Sequence, residues 1–366
     1  MSARRSLAQI LLVGLLTLAA TFALDALFFR TGIYTRYLSP QSSTGSFELN
    51  LRIEKSRRLE RPRRALVFGD SQMAEGFSAQ IANAATLEDG IDFANAASPG
   101  ATMRTSYFLV RDLDSTATRY NVILIGLRDY ADINEEDKSD RATDLNWVIV
   151  RLRLSDTRSF ARSFDDPALV RRALFGGLFN GTVLRADIRD FLRHPRARVA
   201  EARQYDLHGM EWHDGYGGNG ASLAGLSMNV ANGEIQYPPG LAPAIRESVA
   251  SRLRSPGSSA GGLETAYRKH WLLPIIDRYR RSGAKIIIYR MPQRPLPVAD
   301  KFPIGPDAFI NTARKLSGVI VLDEHLFDSL ERPENFFDGV HLNSVGRKEF
   351  STELARAVAG VLGTGS

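Results

Sequence analysis

The run Asn121-Val-Ile-Leu-Ile-Gly126 constrains what this 366-residue chain can fold into more than any other segment. A strand that is apolar at successive positions hides both faces from water, as strands do inside a parallel sheet covered on two sides. Ala65-Leu-Val-Phe68, Ala284-Lys-Ile-Ile-Ile-Tyr289 and Gly318-Val-Ile-Val-Leu322 follow the same pattern, and 92–97 is a further candidate strand. Helix patterns separate them, at 78–85, 102–113, Leu263–Arg281 and 344–361. In 102–113 the residues Met103, Tyr107, Val110 and Leu113 recur at helical spacing. Short apolar strands alternating with helices predict an α/β fold, a three-layer α/β/α sandwich around a central parallel sheet. Ligands of such sheets bind at the carboxyl ends of the strands. Ser71, Gly100 and Gly126 each lie at or just beyond a strand end, so all three are placed to converge on that edge.

Around this core the chain divides unevenly. Residues 1–6 form a short tail with Arg4 and Arg5, and Leu7–Phe29 is apolar apart from Asp25 and small or weakly polar residues. At about 1.5 Å per residue this stretch is long enough to cross a hydrocarbon layer of about 30 Å. Asp25 falls near its far end, where a carboxylate reaches the interface. A cleaved signal peptide ending at Thr21-Phe22-Ala23 is the rival reading. Hydrophobicity that runs on through Ala26-Leu27-Phe28-Phe29 suits an uncleaved signal anchor better. Arg4 and Arg5 are matched by Arg30 and Arg36 beyond the stretch, so charge counting leaves the orientation nearly balanced. A short tail ahead of a long domain points to a single-pass protein of the cell membrane with its folded part extracytoplasmic, in the periplasm.

Residues 30–64 contain Ser, Thr and Pro and then turn basic, with Arg57, Arg58, Arg61, Arg63 and Arg64; they read as a solvated stalk. The α/β domain is expected over 65–366, interrupted at about 130–262 by a large insertion of helix and loop. That insertion reads as a lid or substrate platform on the active-site side of the sheet. Within it, Trp212 and His213 sit in a glycine-rich loop and are candidates for stacking on a sugar.

Composition removes several classes of function. The absence of cysteine excludes disulfides and thiolate chemistry. The net charge of +6 is spread along the chain without a clustered stripe or a binding module, so no nucleic-acid partner is expected. The histidines at 194, 208, 213, 270 and 325 lack the spacing of a metal cluster, and neither a metal nor another cofactor is expected.

The chemistry-bearing segments are Gly69-Asp70-Ser71 near the start of the sheet pattern and Asp338-Gly-Val-His341 near its end. A serine hydroxyl needs an adjacent base to become a nucleophile. His341 is the candidate base, and the Asp-x-x-His spacing puts Asp338 on the same short turn, where it can hold the imidazole tautomer. The backbone N–H groups of Ser71 and Gly100 are candidate oxyanion donors, since each lies in a turn leaving a strand. Taken singly, Ser71 and Asp338 also fit as helix caps, and Asp70 as a brace for its own turn. Arg290, just past a strand end, is a candidate for binding an anionic group of the substrate.

These segments resemble the SGNH, or GDSL-type, hydrolase superfamily. Gly69-Asp70-Ser71 is similar to its first block, Gly100 to the glycine of its second, and Asp338-Gly-Val-His341 with Leu342, Asn343 and Gly346 to its last. The resemblance covers about 65–126 and 284–361, not the insertion. It implies a flavodoxin-like sandwich and a Ser71–His341–Asp338 triad. The third block departs from the family pattern. It normally reads Gly-x-Asn-Asp, with the asparagine donating to the oxyanion, and here it is Gly126-Leu127-Arg128-Asp129. Arg128 is therefore a candidate for an oxyanion or substrate contact. Similar loss of that asparagine occurs in membrane-anchored relatives that transfer acyl groups to surface polymers, such as alginate acetyltransferases and D-alanyl-transfer proteins.

The resemblance thus implies a membrane-anchored serine acyltransferase or esterase acting on a cell-surface glycan or acyl ester, with a multi-span membrane acyl-donor protein as a candidate partner. Two rivals remain open: a lipid or small-ester hydrolase, and a weakly active binding or assembly factor on the same fold.

Overall fold

The computed structural model describes residues 2–133, 141–254, 262–297 and 302–363. Among the described residues seven strands are formed: β1 Arg63–Phe68, β2 Ile91–Asn95, β3 Val122–Leu127, β4 Ser227–Asn229, β5 Glu234–Gln236, β6 Lys285–Arg290 and β7 Val319–Val321. Five of them make one sheet in the order β2-β1-β3-β6-β7, and every pair in it is parallel. The central strands are apolar for the reason their sequences suggest. Ala65, Leu66 and Val67 of β1 and Ile286, Ile287 and Ile288 of β6 have no exposed surface at all. Chain order reverses between β1 and β3, because the chain first builds outward to β2 and then returns across β1. In open parallel sheets that reversal splays the loops apart and leaves a crevice at the strands' carboxyl ends.

By contact the chain separates into two compact units, Met1–Leu49 with Lys138–Gly209, and Asn50–Asp137 with Met210–Ser366. The second contains the sheet. In it the Ser344–Gly363 helix packs on Ser71–Gly76 and Ala79–Ala85, and Leu263–Arg281 packs on Met103–Leu113. The antiparallel β4–β5 hairpin also belongs to this unit.

The first unit is helical. Its N-terminal helix, Ser2–Phe29, includes the 23-residue apolar stretch Leu7–Phe29, which is long and apolar enough to cross a membrane. The far end of that helix is fixed into the unit rather than left free. Asp25 accepts from the backbone N–H of Asn180 (2.9 Å) and Gly181 (2.7 Å). Arg30 donates to the carbonyls of Leu152 (3.1 Å) and Gly177 and to the Asn180 side chain. Next along the chain, Tyr34 donates to Asp187 at 2.7 Å, and Asp187 also pairs with Arg198 at 3.0 Å.

Two boundaries differ from the sequence expectation. Residues 30–64 are not a solvated stalk: Ser43–Ser56 is a helix, with Phe47 and Leu51 almost wholly buried one turn apart. The arginines that follow are engaged by the fold. Arg57 pairs with Glu54 (2.8 Å) and Asp214 (2.6 Å), and Arg61 donates to the carbonyls of Asn83 and Ile91. A carboxylate partner turns a basic run into structure, and Asp214, the second partner of Arg57, is distant in sequence. The insertion at about 130–262 is likewise not one body, since 138–209 groups with the first unit and 210–262 with the second.

Candidate active site

The turn that carries Ser71 is built where β1 gives way to the Ser71–Gly76 helix. Asp70 is the helix N-cap, its side chain accepting from Gln72 N–H at 3.0 Å, which satisfies one of the orphan donors of the first turn. Ser71 is thereby placed at the first helical position, half-buried at the edge of the sheet. The loop after β2 runs alongside, with Ala96 N–H donating to Val67 O (2.8 Å) and Ser98 N–H to Gly69 O (3.0 Å). Gly100 turns this loop at φ +80°, a conformation that side chains oppose. Asn50 ties the same loop down from behind, donating to Ala96 O, Ala97 O and Ser98 Oγ.

At the other end of the chain, the 338–341 turn brings its histidine to the serine. His341 Nε2 lies 2.8 Å from Ser71 Oγ, and His341 Nδ1 lies 2.8 Å from Asp338 Oδ2. A carboxylate can only accept, so Nδ1 carries the proton and Nε2 is left to accept from the serine hydroxyl. The second Asp338 oxygen takes two backbone donors, Val340 N–H and His341 N–H, each at 2.8 Å. Burial pushes the Asp338 carboxyl up, but His341 and the two backbone donors outweigh it and hold the pKa below the usual carboxylate value. Asp338 is thus an anion at neutral pH.

The turn is braced on three sides. Phe337 stacks on the His341 ring at 5.5 Å and 11°. Gln72 Nε2 donates to Val340 O at 3.0 Å, linking the Ser71–Gly76 helix to the histidine turn. A side chain at Gly339 would meet the backbone of Ser248 at 2.5 Å, so a glycine is required there.

Beyond β3 lies a different arrangement. Arg128 pairs with Asp70 at 3.2 Å, and both line a small cavity of about 60 Å³ with Gly69, Thr102 and Gly126. Below it, Arg268 is 2% exposed and ion-paired with Glu264 (2.8 Å), Asp132 (2.9 Å) and Asp129 (3.1 Å). Burial alone lowers the Arg268 pKa, yet the three carboxylates raise it above its ordinary value. Asp129, the last residue of the third block, therefore anchors its loop to the Leu263–Arg281 helix and orients Arg128 beside Asp70.

Three other candidates are placed elsewhere. Trp212 and His213 belong to the Pro195–Asp214 helix, not to a loop, and His213 Nδ1 lies 3.3 Å from Asp214 Oδ1. The helix continues through them because the glycines that stop it begin only at Gly215. Arg290 is 7% exposed and bound to Asp328 (2.8 Å) and Glu331, so its charge is spent inside the fold rather than on a substrate.

An aromatic residue that the sequence reading did not single out, Tyr216, reaches the Ser71–Gly76 helix. Its hydroxyl donates to Glu75, which lies four residues beyond Ser71 on the same helix, and Arg347 covers its ring at 5.1 Å. Arg347 also donates to Ala74 O (2.7 Å) and Glu75 O (2.6 Å). Burial and Glu75 push the Tyr216 hydroxyl up to about 12. The sequence signal for it was weak: one tyrosine in a glycine-rich loop, with partners more than a hundred residues away.

Among the described residues no group of three or more His, Asp or Glu is arranged to hold a metal ion. In comparison with known proteins, no family model and no curated protein sequence matches this chain.

Proposed function

We propose that this chain is a serine acyltransferase or esterase of the SGNH type, held at the membrane by its N-terminal helix and working on a cell-surface glycan from the extracytoplasmic side. The observation that carries the reading is the continuous line Ser71 Oγ–His341–Asp338, with both bonds at 2.8 Å. The strand order of the sheet and the N-terminal apolar helix agree with it.

In this reading His341 Nε2 takes the Ser71 proton as Oγ attacks the acyl carbonyl. The negative charge passes to the carbonyl oxygen, and in this reading the N–H groups of Ser71 and Gly100 receive it. The tetrahedral adduct then collapses, the C–O bond to the leaving alcohol breaks, and His341 returns the proton to that alcohol. The acyl-enzyme is discharged by the reverse sequence, with a glycan hydroxyl or water as acceptor. Asp338 stays ionised throughout and steadies the imidazolium.

A fluorophosphonate probe tests the reading directly. It should label the wild-type chain at Ser71 and leave the Ser71→Ala variant unlabelled. Equal labelling of both would remove Ser71 as the nucleophile. Acyl transfer to a glycan acceptor, measured against release to water, then separates transferase from hydrolase.

One observation favours a second reading, a weakly active assembly factor on this fold. Where the family carries its asparagine, Arg128 is paired with Asp70, and one missing oxyanion donor costs on the order of a hundredfold in rate. In that case Ser71→Ala cells would keep their surface acylation unchanged.

A further inference from the structure

Within the helical unit, one helix presents its apolar residues outward. Pro167–Leu178 is well begun, with Asp166 as its cap accepting from Ala168 N–H at 2.7 Å and proline at its first position. Its exposed residues include Arg171, Leu174, Phe175 and Leu178, which recur at i, i+3, i+4 and i+7 and so share one face. Phe175 is 56% exposed and lies between Leu174 and Leu178 in one contiguous apolar patch, the kind of surface that marks an interaction site.

What covers this face follows from where the helix ends. The residue after it, Phe179, meets Phe22 of the apolar N-terminal helix edge-on at 6.1 Å and Phe175 at 5.3 Å. The next two residues hold Asp25 through their backbone N–H groups. The apolar face is therefore joined to the 22–25 turn of a stretch that is itself long enough to cross a membrane. Leu24, Leu27 and Phe28 are exposed on the same turns. A bilayer that receives Leu7–Phe29 reaches this level too.

We propose that Pro167–Leu178 lies in the membrane interface, with Leu174, Phe175 and Leu178 in the acyl-chain boundary and Arg171 directed to the headgroups. The occupant is the lipid surface, not a protein partner. The unit then has two attachments, a spanning helix and an interfacial one, and the second fixes its rotation about the first. This inference rests on the anchor reading of the N-terminal helix and is independent of the serine chemistry.

The absence of cysteine makes the test clean. Single-cysteine chains Leu16→Cys, Phe175→Cys, Leu178→Cys and Arg172→Cys are spin-labelled and placed one per nanodisc of mixed neutral and anionic phospholipid. Oxygen, which concentrates in lipid, and a polar nickel chelate, which stays in water, then compete as relaxants. The oxygen-to-nickel ratio is expected to be several-fold higher at 175 and 178 than at 172, and highest at 16. A high ratio at 16 with aqueous values at 175 and 178 overturns the interfacial helix. Shielding of 175 and 178 from both relaxants assigns the face to protein and also overturns it. An aqueous value at 16 removes the anchor and this inference together.

Discussion

Strands β1 and β3 are neighbours in the sheet, yet the segments at their carboxyl ends handle charge in opposite ways. Beyond β1, Asp338 serves one imidazole, and that imidazole ends on a hydroxyl. Beyond β3, a buried arginine sits among three carboxylates, and a guanidinium raised above its ordinary pKa keeps its protons. The residue types overlap, but a histidine in the line makes a proton path and an arginine in its place makes a scaffold. Geometry alone does not separate the two, since both are fully bonded. The proton affinity of the central group does.

Asp338→Asn is the sharpest way to break the proton path, and it carries the largest expected effect. An asparagine can donate to Nδ1, which leaves Nε2 protonated and unable to accept from Ser71. A loss of kcat on the order of 10⁴-fold is expected with little change in KM. The acid limb of stability should also change. Because the folded Asp338 pKa lies below its unfolded value of 3.8, its contribution is complete above that value. It is lost as pH falls through the lower folded value. Urea midpoints between pH 7 and pH 3 should therefore fall less steeply in the variant than in the wild type. A variant with kcat within tenfold of wild type would show that Asp338 only caps its turn.

The scaffold is broken by Arg268→Met. Three carboxylates, of which Asp132 and Glu264 are at most 6% exposed, would then lack their common cation. Removing one partner of a buried ion pair typically costs about 3–5 kcal/mol. Chemical denaturation should show a loss of that order. Fluorophosphonate labelling of the chain that remains folded should persist, because the proton path is untouched. Loss of labelling without loss of stability would mean that Arg268 acts on the site itself.

Much of this was legible in the sequence, and the parts that were not share a cause. Strands β1, β3 and β6 were readable because both their faces are largely buried, so their identity lies in consecutive residues. Leu263–Arg281 is a helix over the range its pattern indicates, whereas Thr102 proves to cap its helix rather than begin it. Ser71, Asp338 and His341 were readable as a candidate set because serine chemistry would fix residue type and local spacing together, and the fold brings the three into one hydrogen-bonded line. The 43–56 helix reads as stalk because its charged residues suggest solvent, while Glu54 is in fact paired with Arg57, and Arg57 also with Asp214. Arg290 misled in the same way. A charge reads as available in a sequence, and whether it is already spent depends on residues that only the fold brings near.

The smallest expected effect bears on Arg128, where the two segments touch through Asp70. Arg128→Asn installs the donor that the resembled family carries and removes the cation from Asp70 at the same time. Asp70 should hold its place, because its bond to Gln72 N–H caps the helix independently of Arg128. If the missing donor limits turnover, kcat toward a small activated ester should rise about tenfold, some 1.4 kcal/mol of transition-state stabilisation. Arg128→Ala, which adds no donor, should show no rise, and Ser71 labelling rates should follow the same order. If both variants instead fall by about a hundredfold, Arg128 is itself the donor toward the oxyanion. The arginine would then belong to the catalytic line, and the division between proton path and scaffold would have to be drawn through Arg128 and not through Asp70.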